Sequence, residues 1–202
     1  IFKASSTGTI NWQKSITNGT YGTNGNSIKE DSSGNVYVCG FSGNANFITA
    51  KYNTSGTIQW QRVLYSASKD VSLEGVAVDS SGNVYAVGSD SSNSRGVVVK
   101  YNSSGSLQWQ KQLYYTGASN SIRGCIVSGS YMYLAGYISS ALTGSTIFKL
   151  GTDGTGTGTY GSWTYADNNY TDIAGNLTDA SFSYTFDGIE AGAASTSLSI
   201  GN

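Results

Sequence analysis

The chain has 202 residues, of which only 11% are charged, and a formal net charge of −1. Without clustered Lys and Arg it has no electrostatic basis for binding nucleic acid or an anionic membrane surface. No apolar run approaches the roughly 18 residues of a membrane span, and no basic-then-apolar segment opens the chain, so membrane insertion is not expected either. Fifteen Tyr and four Trp supply more aromatic surface than a disordered polymer carries. The chain opens on Ile1, not Met, as a processed product or a fragment of a longer protein would.

Along the chain, two phrases alternate. "KASSTGTINWQ" begins at Lys3, "KYNTSGTIQWQ" at Lys51 and "KYNSSGSLQWQ" at Lys100, so these lysines stand 48 and 49 residues apart. Between them, "DSSGNVYVCG" from Asp31 returns as "DSSGNVYAVG" from Asp79 and more loosely as "SGSYMYLAG" from Ser128. Self-similarity at one fixed period marks a repeat array.

Each unit carries two turn signals, D-S-S-G and N-[ST]-S-G. Asp or Asn accepts hydrogen bonds from backbone amides two residues on, and Gly supplies a positive φ, so both predict tight hairpin turns. The intervening runs alternate with period two: Val36 and Val38 against Tyr37 and Cys39, Val97, Val99 and Tyr101 against Val98 and Lys100. No segment has helical periodicity. The first full unit is therefore predicted as four strands over residues 27–31, 35–41, 46–52 and 57–64, here named A to D.

Four antiparallel strands in each unit of about 49 residues predict an all-β fold of β-propeller blades, since radial stacking of twisted sheets hides strand edges. A β-solenoid would have shorter, more uniform rungs. Three full blades are expected, preceded by a C–D pair over residues 1–16. From Gly151 the pattern breaks, with Gly158 where the repeat Trp would stand. Residues 1–150 are thus read as the propeller region, and 151–202 as a Gly/Thr-rich joint and a β-rich extension that packs on the propeller or on a neighbouring subunit.

Trp12, Trp60 and Trp109 share one strand D position. They are read as wedges between blades in preference to a stacking platform for a ligand. Lys3, Lys51, Lys100 and Lys149 repeat on strand C and are read as buried stems with solvated or paired ammonium groups, not as a cationic ring for an anionic ligand. Cys39 aligns with strand B and Cys125 with strand A two blades away, so both are expected to be buried small apolar residues too far apart to bridge.

With these residues in place, the sequence resembles the SBBP-type β-propeller repeats, whose units pair a D-S-S-G-N-V-Y strand with a [KR]-Y-[ND]-x-x-G-x-[IL]-x-W strand. More narrowly, "KYNSSGSLQWQKQL" and "NLTDASFSYTF" from Asn176 are similar to large virion structural proteins of marine cyanophages. That resemblance implies a role in virion architecture or host contact and brings no catalytic residues to this chain. It departs from closed propellers in blade number, since these typically need four or more.

Several chemistries find no support in the residues. The absence of histidine removes Ser/His and Cys/His nucleophile arrangements and the commonest transition-metal ligand. The vicinal Cys pair and acidic calcium ligands that accompany a Trp-ending propeller repeat in quinoprotein dehydrogenases do not appear. The D-S-S-G loops lack the dense oxygen ligands of an EF-hand, no pattern singles out two of the 12 acidic residues as a glycosidase pair, and "GTGTGT" lacks the Lys of a phosphate loop. No catalytic residue, metal or cofactor is expected.

In an antiparallel unit the A–B and C–D turns share one end, where the near-identical turns lie. The dissimilar B–C and D–A connections share the other. Binding is expected at that variable end, where aromatic rings stand beside Asn and Ser. Tyr21, Tyr65, Tyr114, Tyr115 and Tyr137 are its candidates, and partly buried loop anchors are the alternative reading of them. The expected function is a non-enzymatic phage virion protein, a tail fibre or other appendage, serving assembly and host-surface attachment. Its partners would be other virion proteins or further copies of itself, and a host glycan or protein. The alternatives are a secreted or cell-surface bacterial adhesin or carbohydrate-binding propeller, and a propeller enzyme.

Overall fold

The structure is a computed structural model that describes residues 1–17, 22–43, 46–66, 70–139, 144–168, 170–174 and 178–181. It is all-β, with antiparallel pairing throughout and four sheets, none closed into a barrel. The first sheet comprises β1 (Phe2–Ala4) and β2 (Ile10–Thr17). The second runs β3 (Thr23–Glu30), β4 (Val36–Ser42), β5 (Asn46–Tyr52), β6 (Ile58–Tyr65), and the third β7 (Val71–Val78), β8 (Val84–Asp90), β9 (Arg95–Tyr101), β10 (Leu107–Tyr115). The fourth holds β11 (Ser119–Ser128), β12 (Tyr131–Ser139) and β13 (Gly144–Gly151). Among the described residues the one helical segment is a short 3-10 turn, Ser91–Asn93, and no helix is long and apolar enough to cross a membrane.

The third repeat unit departs from the four-strand expectation. Among the described residues it contributes three strands, and the chain as far as residue 181 leaves for the neighbouring sheets. β14 (Gly158–Tyr160) and β15 (Trp163–Asp167) form a hairpin that pairs with β10. β16 (Thr171–Ala174) then adds to β6, and β17 (Thr178–Ser181) to β2. The segment thus walks backwards along the outer edges of the third, second and first sheets. Gly158 occupies the repeat's Trp position, so this stretch has no indole to hold it as a fourth strand of its own unit.

Two-residue periodicity sends alternate side chains to opposite neighbours. Val36, Val38, Ala50 and Tyr52 meet Ile1, Trp12 and Ile16 of the first sheet. From the same strands, Tyr37, Cys39 and Phe47 meet Val76, Val84, Val97, Val99 and Tyr101 of the third. Tyr85, Val87, Val98 and Leu113 in turn pack on Ile122, Met132 and Leu134 of the fourth. Both faces of the middle sheets are therefore buried, which is why their strands read as nearly continuous apolar runs.

One contact recurs at each junction. Trp12 lies against Gly56, Trp60 against Gly105 and Trp109 against Gly154, the first two glycines being in the C–D turns of the following sheets and Gly154 in the turn that follows β13. These glycines have φ of +76°, +81° and +75°, and a Cβ on any of them would come within 2.6–2.9 Å of the indole. Trp12 Nε1 donates to the Thr54 carbonyl and Trp60 Nε1 to that of Ser103, at 3.0 and 3.1 Å. Trp109 Nε1 is buried without a partner among the described residues. The indoles are wedges between sheets.

The strand C lysines follow the same step. Lys51 and Lys100 lie over the rings of Tyr37 and Tyr85, 5.3 and 5.1 Å from their centroids. Their ammonium groups reach the Ser103 and Thr152 carbonyls of the next turn. Lys3 pairs with Glu30, and Lys149 lies 4.0 Å from the Tyr131 ring centroid.

The D-S-S-G turns are saturated locally. Asp79 Oδ1 accepts from the amides of Ser81 and Asn83, and Oδ2 from Asn83 Nδ2 and Tyr85 Oη, at 2.8–3.1 Å. Asp31 repeats the pattern with Ser33, Asn35 and Tyr37. Burial works to raise these carboxyls, but the hydrogen bonds to the ionised form outweigh it and hold both below the ordinary Asp value. Among the described residues no cluster of three or more His, Cys, Asp or Glu could hold a metal ion.

Both cysteines are free thiols. Cys39 is fully buried, and burial, helped by Cys125 and Glu74, pushes its thiol far above the ordinary range. Cys125 is only half-buried, and burial pushes it up to about 12.

Two measurements check this account. Gly105→Ala and Gly8→Ala place a Cβ at nearly the same φ, +81° and +84°, but only Gly105 faces an indole, Gly8 having nothing within 4 Å. In urea titrations Gly8→Ala is expected to cost about 1 kcal/mol for its left-handed backbone, and Gly105→Ala about 2–4 kcal/mol because the wedge must also move. Secondly, a carboxyl whose folded pKa lies below its unfolded value stabilises the fold above the unfolded value and stops doing so as pH falls through the folded one. Stability is therefore expected to fall once the pH drops below about 4, with a shallower fall in an Asp31→Asn/Asp79→Asn variant.

Candidate functional site

The A strands share a second irregularity. The β3–β4, β7–β8 and β11–β12 ladders each slip by one residue, at Asn26, Glu74 and Arg123. A bulge of this kind re-aims the extra residue. Opposite each slip stands the glycine that ends the repeated phrase of strand B. A Cβ on Gly40, Gly88 or Gly136 would sit 1.8, 1.9 or 2.1 Å from the carbonyl oxygen of Asn24, Ser72 or Ser121. Only glycine lets that carbonyl approach. One repeated residue type thus creates, in successive sheets, a set of A-strand positions whose side chains differ: an amide, a carboxylate and a guanidinium.

Asn26 spends its amide within the fold, donating to Ser72 Oγ and to the Leu73 carbonyl at 2.7 and 2.9 Å. Glu74 and Arg123 instead line one cavity of about 320 Å³, together with Ser72, Ser89, Asn120 and Tyr137. A second cavity of about 410 Å³ adjoins it and shares Ser94 and Ser119 with it. This second cavity is walled by Arg95, Tyr114 and Tyr115 and by the β10–β11 connection at Thr116 and Gly117. Together they form a cleft at the variable end, between the third and fourth sheets.

Its walls are held from beneath. Asn120 is buried, accepts from the Tyr115 amide at 3.0 Å, and donates to the Ser94 and Ala118 carbonyls at 2.7 and 2.8 Å. Ser94 has a φ of +56°, the one positive-φ non-glycine among the described residues. Its preceding turn is capped by buried Asp90, which accepts from the amide and side chain of Asn93 and from Tyr170 Oη of the returning segment. Arg95 stacks on Tyr114 and Arg123 on Tyr137, at 4.8 and 5.2 Å from the ring centroids. Arg95 also donates to Gln112 Oε1, and both guanidinium groups line the opening together with the rings they cover.

Of the candidates from the sequence, Tyr114, Tyr115 and Tyr137 gather at this cleft. Tyr115 also packs edge-on against Trp163 at 5.5 Å, so it is partly an anchor. Tyr65 is exposed at the end of β6, beside Asn46 and Thr171, away from the cleft. Tyr21 lies outside the described residues. The cleft's other residues, Glu74, Arg95, Asn120 and Arg123, are not among the tyrosine candidates. A signal for two of them exists in the sequence. Aligned by repeat, Asn26, Glu74 and Arg123 fall at one position, which carries an amide, a carboxylate and a guanidinium in turn.

The cleft combines hydroxyls, amides, two guanidinium groups, the carboxylates Asp70 and Glu74, and aromatic faces. Such a mixture suits a neutral, polyhydroxylated or peptide-like surface. No protein-family model matches the chain, and no curated protein sequence matches it either.

The role of the close glycine is checked by substitution. Gly88→Ala is expected to cost about 3 kcal/mol in urea unfolding, since the atom in the way is backbone. Gly124→Ala, with nothing within 4 Å of its Cβ, is expected to stay within about 0.5 kcal/mol of the parent.

Proposed function

We propose that this chain is a non-enzymatic, propeller-type repeat scaffold of a phage virion, part of a tail fibre or other appendage, that presents the cleft between its third and fourth sheets to a host-surface glycan or protein. The observation that carries the binding role is the separation of constancy from variation. Each junction is made with the same indole, glycine and lysine, whereas the side chains at the A-strand bulges and the connections at one end differ from sheet to sheet. A scaffold that holds its frame constant and varies one end is organised for recognition. The virion setting rests on the resemblance of the repeat's wording to cyanophage structural proteins.

A second reading, a carbohydrate-binding or adhesin propeller of a bacterial surface, is favoured by the same hydroxyl- and amide-lined cleft. The two readings share their ligand chemistry and differ in where the chain is carried.

Binding is measured on an array of bacterial surface polysaccharides, with a reducing-sugar assay beside it. The parent chain is expected to retain at least one polysaccharide and release no sugar. Arg123→Ala and Arg95→Ala, which remove cations from over Tyr137 and Tyr114, are expected to weaken retention about tenfold each with unfolding midpoints little changed. Polysaccharide turnover, or retention untouched by both substitutions, would overturn the assignment.

A further inference from the structure

Ser94 stands where the two cavities of the cleft meet, and its backbone sets it apart from the rest of the chain. Among the described residues the backbone enters the left-handed region, at φ of +56° to +84°, at eleven glycines and at one residue with a side chain, Ser94. The β4–β5 connection of the second sheet makes its own left-handed turn on Gly43, at +60°. A Cβ at such a φ crowds the following carbonyl, so a side chain there opposes folding and points to a use outside the fold.

The fold itself leaves the side chain idle. Ser94 donates its amide to the Ser91 carbonyl at 3.1 Å, and its carbonyl accepts from Asn120 Nδ2 at 2.7 Å. Its hydroxyl has no hydrogen-bond partner among the described residues, and the half-buried residue lines both cavities. The protein thus satisfies the backbone of this turn and leaves its hydroxyl to the cleft.

The lining favours one kind of ligand. Among the described residues that line either cavity, Ala118 is the one aliphatic, and it is buried. A protein partner anchors on apolar side chains set into apolar pockets, and this cleft has no such walls. The hydroxyls of Ser91, Thr116, Ser119 and Ser139 face the same opening, also without a hydrogen-bond partner among the described residues. A hydroxyl both donates and accepts, so such a rim matches the hydroxyls of a sugar.

We propose that the cleft holds a glycan of at least two sugar units, one in each cavity, and that Ser94 contacts it through its hydroxyl where the chain of sugars crosses between them. This deepens the binding role proposed above and rests on it. Ser94 is in this view retained against its backbone preference because glycine, which would fit the turn better, has no hydroxyl to offer.

The test takes the polysaccharide that the array retains most strongly and measures retention beside the urea midpoint. Ser94→Ala keeps the crowded backbone and loses the hydroxyl, so it is expected to weaken retention about fivefold at an unchanged midpoint. Ser94→Gly also frees the backbone, so it is expected to weaken retention as much while raising the midpoint. A residue that served the fold alone would lower the midpoint when cut to Ala. Fragments of the same polysaccharide are then used as competitors, and disaccharides and longer pieces are expected to compete at least tenfold better than its single sugars. Parental retention in either Ser94 variant, or single sugars that compete as well as longer pieces, overturns this inference. If Arg95→Ala and Arg123→Ala still weaken retention in that case, the assignment of the cleft stands without it. A parent chain that retains no polysaccharide overturns both.

Discussion

The structure depends on an indole resting on a glycine. A tryptophan near the start of each D strand lies flat against a turn that has no Cβ, and that turn belongs to the following sheet. The glycine is required twice over, once because its φ is positive and once because the ring occupies the space a side chain would take. The contact therefore couples the geometry of a local hairpin to the spacing between sheets. The lysine beside it extends the coupling, laying its stem over one sheet's tyrosine and its ammonium on the next turn's carbonyl. Within each sheet the ladders are local. Between sheets, this contact sets where one stops and the next begins.

The returning segment answers a different problem. Outer D strands present unpaired backbone, and an exposed edge invites pairing with another chain. β15, β16 and β17 occupy those edges on three sheets, and charge and hydroxyl contacts fasten the first two and the chain between them: Lys111 with Asp167, Arg62 with Asp172, and Tyr170 with Asp90. Asp172 shows the cost of such a placement. Burial raises its carboxyl above the ordinary value despite the opposing pull of Arg62 and of a hydrogen bond from Tyr101. Among the described residues, the segment that covers these neighbours adds no strand to β13 of the fourth sheet.

The cleft follows from the same economy of parts. The glycine at the end of each B strand admits a carbonyl, the carbonyl's strand bulges, and the bulged residue turns toward the next sheet. Whether that residue serves the fold, as Asn26 does with Ser72, or lines an opening, as Glu74 and Arg123 do, depends on its own side chain and on what its neighbours leave vacant. A structural repeat has in this way generated a position free to vary.

The sequence by itself determined the sheets, the turns and their period. D-S-S-G and N-[ST]-S-G are local hydrogen-bonding units, and two-residue alternation is a property of each strand alone, so both could be read without knowing what packs on them. It also pointed to the role of Trp12, Trp60 and Trp109, since the two spacings of 48 and 49 residues put the three indoles at one position of the repeat. It named Tyr114, Tyr115 and Tyr137 as candidates at the variable end, and these three line the cleft. It did not reveal that strand A begins at Thr23, because Gly25 and Asn26 read as a turn until the bulge opposite Gly40 is seen. Only the tertiary structure decided where residues 158–181 go, which outer edges they cover, and that Arg95 and Arg123 stack on tyrosines of one cleft. Those outcomes depend on pairings between residues far apart in the chain, and no local pattern encodes which of several open edges a strand will choose.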